Sequence, residues 1–167
     1  MAFYGKYRAT VTNNNDPMQI CRLQVQVPDV SNVQSSTWAL PAAPFAGSQC
    51  GFVSLPPVGA QVWVEFEQGD SDYPVWSGGY WGSSSDVPSQ ANSAPAGTQV
   101  IVLQSVGGHI LMLSDQSGSS GGILLKSSSG ASIAINDQGI TIDNGQGATI
   151  TLQSNSVSIN NGALQVT

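Results

Sequence analysis

Apolar and polar residues alternate in short runs along the first half of the chain. Tyr7-Arg-Ala-Thr-Val-Thr12 alternates and is closed by Asn13-Asn-Asn-Asp-Pro17, a run of turn formers. Ile20–Val27 sets Leu23, Val25 and Val27 on one face against Arg22, Gln24 and Gln26 on the other, and Pro28 ends it. Beyond a Pro-rich loop from Trp38 to Ala46, strands are predicted at Gly51–Leu55, Gln61–Glu67 and Val75–Trp81. In the middle one Val62, Val64 and Phe66 face inward, opposite Trp63, Glu65 and Glu67. Gly69–Pro74 is a tight connection. Five short strands in about 80 residues predict a small closed or nearly closed barrel.

The second half follows another rule. Gly130–Asn144 aligns with Gly147–Asn161 at an offset of 17 residues, and each large apolar position matches: Ile133 with Ile150, Ile135 with Leu152, Ile140 with Val157, Ile142 with Ile159. Leu164 and Val166 form a further pair. Each unit reads apolar-x-apolar, a strand of about three residues, followed by a turn rich in Gly, Asn, Asp and Gln that accepts positive φ. Gly107–Leu113 and Gly122–Lys126 are looser members of the series. Between the halves, residues 83–99 carry Ser, Ala and two Pro with nothing to bury, which predicts a linker. The predicted domains are therefore 1–82, a linker at 83–99, and 100–167.

One copy of the repeat has too little to bury. An inward side chain contributes roughly 1.5–3 kcal/mol when fully covered, whereas ordering the backbone costs roughly 1–2 kcal/mol per residue. Two arrangements repair the deficit. Three chains can wind about one axis and pool their Ile and Leu rows, or one chain can coil into a solenoid with a rung every 17 residues. In the first, the core is Ile133, Ile135, Ile140, Ile142, Ile150, Leu152, Val157 and Ile159.

Composition narrows the function classes. All four Trp, four Tyr and four Phe lie in the first half. Only 8% of the 167 residues are charged, against roughly 25% in ordinary soluble domains. The net charge of -6 comes from four basic residues against ten acidic ones. No basic stripe exists to neutralise phosphates, which argues against nucleic-acid binding. The first residues lack an apolar core and no run approaches 18 apolar residues, so neither a signal peptide nor a membrane span is predicted and synthesis in a cytoplasm is expected. Cys21 and Cys50 are expected to be buried free thiols.

Candidate chemistry is sparse. Glu65, Glu67, Asp70 and Asp72 read as a solvated strand face and a turn, without the cleft that a glycosidase needs. His109 is the one histidine in the sequence, so no His-based triad or zinc site forms within a chain. Gly107-Gly108 lacks a P-loop lysine. Trp63, Trp76, Tyr80 and Trp81 have the makings of a stacking platform, but with no Lys or Arg expected nearby they read as core or subunit contact. No catalytic, cofactor or metal residue is expected, and no cofactor.

Several stretches resemble a known family. Gly5–Pro17, Arg22–Pro28, Trp38-Ala-Leu-Pro41, Pro56–Asp70 and Tyr73–Gly78 are similar to the baseplate spike proteins of contractile tails, the phage baseplate assembly protein V and VgrG group. Gly107–Asp115 and Asn160–Val166 resemble the opening and the end of the family's needle. Where relatives often carry Gly-Arg, this chain has Cys21-Arg22, and it lacks the hub domains and lysozyme-like insertion found in some of them. The resemblance implies an all-β protein: a five-stranded OB-fold barrel, then a trimeric triple-stranded β-helix. It implies a non-enzymatic central spike, assembled into a phage tail or injection particle, that pierces an envelope mechanically. Implied partners are two further copies, tail tube or hub proteins on the barrel side, the target membrane in passing, and a PAAR-like tip on Leu164 and Val166. The alternative is a glycan-binding OB-fold on a β-solenoid stalk.

Overall fold

The structure, a computed structural model, describes residues 2–30 and 36–166. It divides into two units, Met1–Ser84 and Ser85–Thr167. Nearly all regular structure is β.

In the first unit, β1 (Tyr7–Asn13), β2 (Gln24–Gln26), β3 (Leu40–Pro41), β6 (Gln61–Phe66) and β7 (Pro74–Gly79) form a sheet ordered β2-β1-β6-β7-β3. All its pairings are antiparallel except β3 with β7. The two edges then meet: Leu23 and Ala39, just outside β2 and β3, bond reciprocally, N to O, at 3.0 and 2.7 Å. That bridge closes the sheet into a barrel and removes its open edges. Period-two alternation fills the interior. Ala9, Val11, Leu23, Val25, Val27, Val62, Val64 and Phe66 are buried together, and Phe3, Tyr7 and Phe66 plug one end with ring centroids 5.6 to 6.2 Å apart.

Two expected strands differ. Ile20–Val27 is extended only over Gln24–Gln26, because the segment before it wraps a carboxylate. Asp16 is buried and accepts the backbone N–H groups of Met18, Ile20 and Arg22 at 3.0 to 3.1 Å, and Arg22 Nε and Nη2 at 2.9 and 2.6 Å. This knot pulls Cys21 to φ +63°, the left-handed region where glycine is unstrained. The expected strand Gly51–Leu55 is absent. A two-residue hairpin, β4 (Ala46–Gly47) with β5 (Cys50–Gly51), takes its place. Phe52, Val53 and Leu55 follow it outside the barrel and exposed, because that stretch pairs with no barrel strand.

The second unit opens with a one-turn helix, α1 (Ser89–Ser93), inside the stretch read as a linker. Eight strands follow: β8 (Val100–Gln104), β9 (Ile110–Ser114), β10 (Gly122–Lys126), β11 (Ser132–Asn136), β12 (Gly139–Asp143), β13 (Thr149–Gln153), β14 (Ser156–Ile159) and β15 (Leu164–Val166). Each pairs antiparallel with the next in one uninterrupted meander. The 17-residue repeat is thus a pair of hairpin strands, and the single-chain solenoid is not formed. β8 was missed in the sequence because Val100-Ile-Val-Leu103 is apolar throughout and has no period. Gly122 and Gly139 adopt φ +81° and +128° at strand starts where a Cβ would run into the carbonyls of Ile135 and Leu152. Only glycine fits there.

The Asp16 knot should make the barrel acid-sensitive. Arg22 is the main cause holding this carboxyl well below the usual carboxylate range; burial opposes it, and the three backbone N–H groups reinforce it. A depressed folded value stabilises the native state above the ordinary value of 3.8 and loses that contribution as pH falls below it. Asp16→Asn is therefore expected to melt lower than wild type at pH 7, with the gap narrowing from pH 4 towards pH 2 in thermal scans.

Candidate functional site: an uncovered apolar face

The antiparallel register lines up two unbroken apolar rows across the eight strands. One runs Ile101, Leu113, Ile123, Ile135, Ile140, Leu152, Val157, Val166. The other runs Leu103, Leu111, Leu125, Ile133, Ile142, Ile150, Ile159, Leu164. Both lie on one face, since the rows are two residues apart on every strand. Nothing among the described residues covers it. Ile150 and Leu152 remain 38% exposed in mid-sheet, and Ile101 and Val166 at the two edges reach 61% and 60%.

All of the residues read from the repeat as a pooled core, Ile133, Ile135, Ile140, Ile142, Ile150, Leu152, Val157 and Ile159, lie in these rows, and so do Leu164 and Val166. The core read from the repeat leaves out six more: four on β9 and β10, whose segments the sequence marks as looser members of the series, and two on β8, which it does not mark at all. The opposite face changes character along the sheet. Its central row runs Val102, Met112, Leu124, Ala134, then Thr141, Thr151 and Ser158. From β12 onward one face is apolar and the other hydroxylated.

The remaining candidates fall apart as sites. Glu65 pairs with Lys6 at 2.7 Å in the open, and Asp70 accepts the Asp72 N–H within its own turn. His109 is exposed, with Nδ1 accepting the Ser128 N–H at 3.4 Å. Among the described residues no three His, Cys, Asp or Glu side chains gather to hold a metal ion. The four aromatics do not share a platform. Trp63 stacks on Tyr80 at 4.8 Å, Trp76 packs on the barrel core and donates Nε1–H to the Cys21 carbonyl, and Trp81 is exposed. Contrary to expectation a cation is close: the Arg8 guanidinium lies 5.9 Å from the Trp63 ring and 5.6 Å from that of Tyr80. Both cysteines are free thiols, but neither is buried as expected: Cys21 is half-buried, and Cys50 is exposed because it sits in the hairpin outside the barrel. Among the described residues no helix is long and apolar enough to cross a membrane.

A closed five-stranded barrel followed by a sheet that lacks its second layer defines an assembling, modular class of protein. Residues 7–81 match the family of the type VI secretion system and phage-baseplate injector OB domain, and residues 100–165 match the phage baseplate V C-terminal trimerisation domain. Together these matches place the chain in the phage baseplate V family. It is 34% identical over 73 residues, 42% of its length, to the type VI secretion system spike protein VgrG1c of Pseudomonas aeruginosa. It is 40% identical over 58 residues, 35% of its length, to the spike protein VgrG3 of Vibrio cholerae. It is 47% identical over 47 residues, 28% of its length, to the actin cross-linking toxin VgrG1 of the same species. These matches span 10%, 6% and 4% of the relatives' own lengths.

Trp63→Ala is expected to lower barrel stability by about 1 kcal/mol, through lost stacking and cation–π contact, and to leave the oligomer's mass unchanged. Chemical denaturation alongside sedimentation checks both.

Proposed function

We propose that the chain is the structural central spike of a contractile tail or injection particle, acting as a homotrimer and making or cutting no bond. In this reading residues 1–82 form the OB-fold collar, 83–99 a linker, and 100–167 the triple-stranded β-helix that is driven through an envelope. The observation that carries it is the pair of unbroken apolar rows on an uncovered face. Both the match to a trimerisation domain and the relatives' names as spike proteins favour it.

Geometry favours three copies. A strand of five residues spans about 17 Å, and three such faces closed into a prism stand about 5 Å from the axis, half the roughly 10 Å between packed sheets. One layer of Ile and Leu from each chain fills that space. Four chains would leave a bore roughly 8–9 Å from axis to wall, too wide for the same side chains. Eight strands stacked at about 4.8 Å give a rod about 34 Å long. Its β12–β15 stretch turns Thr and Ser outward, with Asp143 the one charge on that face, a polar coat suited to sliding past lipid and tube.

The collar would seat on tail tube or hub proteins. The outer edge of β15, the last strand of the sheet, leaves an unpaired backbone row on which a PAAR-like tip would stack, with Leu164 and Val166 beneath it. A glycan-binding role has less support, since Trp63 and Tyr80 already face the chain's own Arg8.

Ile150→Asp tests the reading, because it sets three carboxylates about the axis, where desolvated like charges cost several kcal/mol. Wild type is expected to sediment as three chains and the variant as one. Trp63→Ala should stay trimeric. A monomeric wild type, or a trimeric Ile150→Asp, overturns the proposal.

A further inference from the structure

The apolar face is bordered along both strand ends by polar rows, and these rows differ. One border carries Ser105, His109, Ser127, Ala131, Asn144 and Ala148, as the ladder contacts beyond the strands fix: Ser105 bonds to the His109 carbonyl, Ser127 to Ala131 and Asn144 to Ala148. None of these is a carboxylate; Lys126 and Asp143, which end β10 and β12 beside Ser127 and Asn144, alternate onto the opposite face of the sheet. The other border carries Asp115, opposite Gln99, and Asp137. On the apolar side the imidazole therefore lies on one border and Asp115 and Asp137 on the other.

Threefold symmetry brings these borders together. If each chain supplies one wall of a prism with strands lying across the axis, every strand starts at one corner and ends at the next. Copies sit at equal heights, so the start of β9 in one chain meets the end of β9 in its neighbour. His109 and Asp115 are the residues flanking β9. Within a chain they lie six residues apart along an extended strand, about 20 Å, and cannot touch.

Resting on the trimeric reading above, we propose that His109 of one chain hydrogen-bonds Asp115 of the next at each of the three corners, locking the rotational register at the base of the rod. The side chains are prepared for it. His109 Nδ1 accepts the Ser128 N–H, so the ring proton resides on Nε2, which is left to donate outward. Asp137 is occupied, its carboxylate accepting the Gly118 N–H at 2.7 Å. Asp115 is exposed, and its carboxylate has no hydrogen-bond partner among the described residues. On the apolar side the alternative registers place Asp115 against serine, alanine or amide groups, with Lys126 turned to the opposite face, so the imidazole–carboxylate bond forms in one register alone.

The test is a disulfide that only neighbouring chains can form. In the full chain with Cys21→Ser and Cys50→Ser, the pair His109→Cys/Asp115→Cys should oxidise to a covalent ring of three chains, reducible and resistant to detergent. Either cysteine alone should give none. Two cysteines bridge only when their Cα atoms lie within about 7 Å, so a linkage inside one chain is barred. A reduced protein that sediments as a trimer yet does not cross-link overturns the corner contact and spares the trimer; a monomer overturns both. The bond itself is read from charge exchange: His109→Asp should lower the thermal midpoint of the trimer, and adding Asp115→His should restore it. No recovery overturns the hydrogen bond.

Discussion

A sheet one layer thick cannot keep an apolar face in water. Residues 100–166 leave two rows of Ile, Leu and Val open on one side, and the rest of the second unit follows from that. The strands are short because only two side chains per strand have to reach the partner layer. Turns are tight and glycine-rich because the chain reverses every few residues, and at Gly122 and Gly139 the neighbouring carbonyls leave no room for a side chain. The meander gathers the whole face within one chain, but one chain buries too little to hold it, so the uncovered layers have to find one another.

The first unit solves the same problem alone. Its sheet bends until Leu23 meets Ala39, and the interior then shelters its own valines. Closure depends on the chain between β1 and β2 being held in place, which is the work of Asp16. Five donors converge on one buried carboxylate, and Arg22, which supplies three of them, also lies 5.3 Å over the Trp38 ring beside the closing bridge. A polar knot of this sort supports the barrel only while the acid stays ionised. The first unit thus answers to local charge, while the second, with its face uncovered, answers in the proposed trimer to its sister chains.

Much of this was legible in the residues. Strict alternation in Gln61–Phe66 and the match of Ile133 to Ile150 gave strands, faces and the incomplete core, because side-chain period and burial are local properties of sequence. The failures share a cause. Gly51–Leu55 looks like a strand but has no partner in the barrel, and pairing is not written in the run itself. Val100–Leu103 is apolar on both faces and so carries no period. The shortening of β2 lay hidden in Asp16, whose reach to Arg22 no alternation pattern reveals. Cys21 was visible as a departure from a family glycine, while its positive φ emerged only with the knot around it.

The scarcity of charge, the first oddity of the composition, takes its meaning from the same rows. In the proposed trimer a rod whose walls are shared among copies places every residue in threefold replicate, so a misplaced carboxylate is repeated three times at one height. Serine, threonine, asparagine and glutamine carry no such multiplied cost, and they hydrogen-bond in either sense across a corner. Of the few charges that residues 100–166 carry, Asp115, Lys126, Asp137 and Asp143, Asp115 is the one whose strand, β9, has the imidazole at its other end, so in the proposed trimer threefold repetition turns that acid into half of a pair.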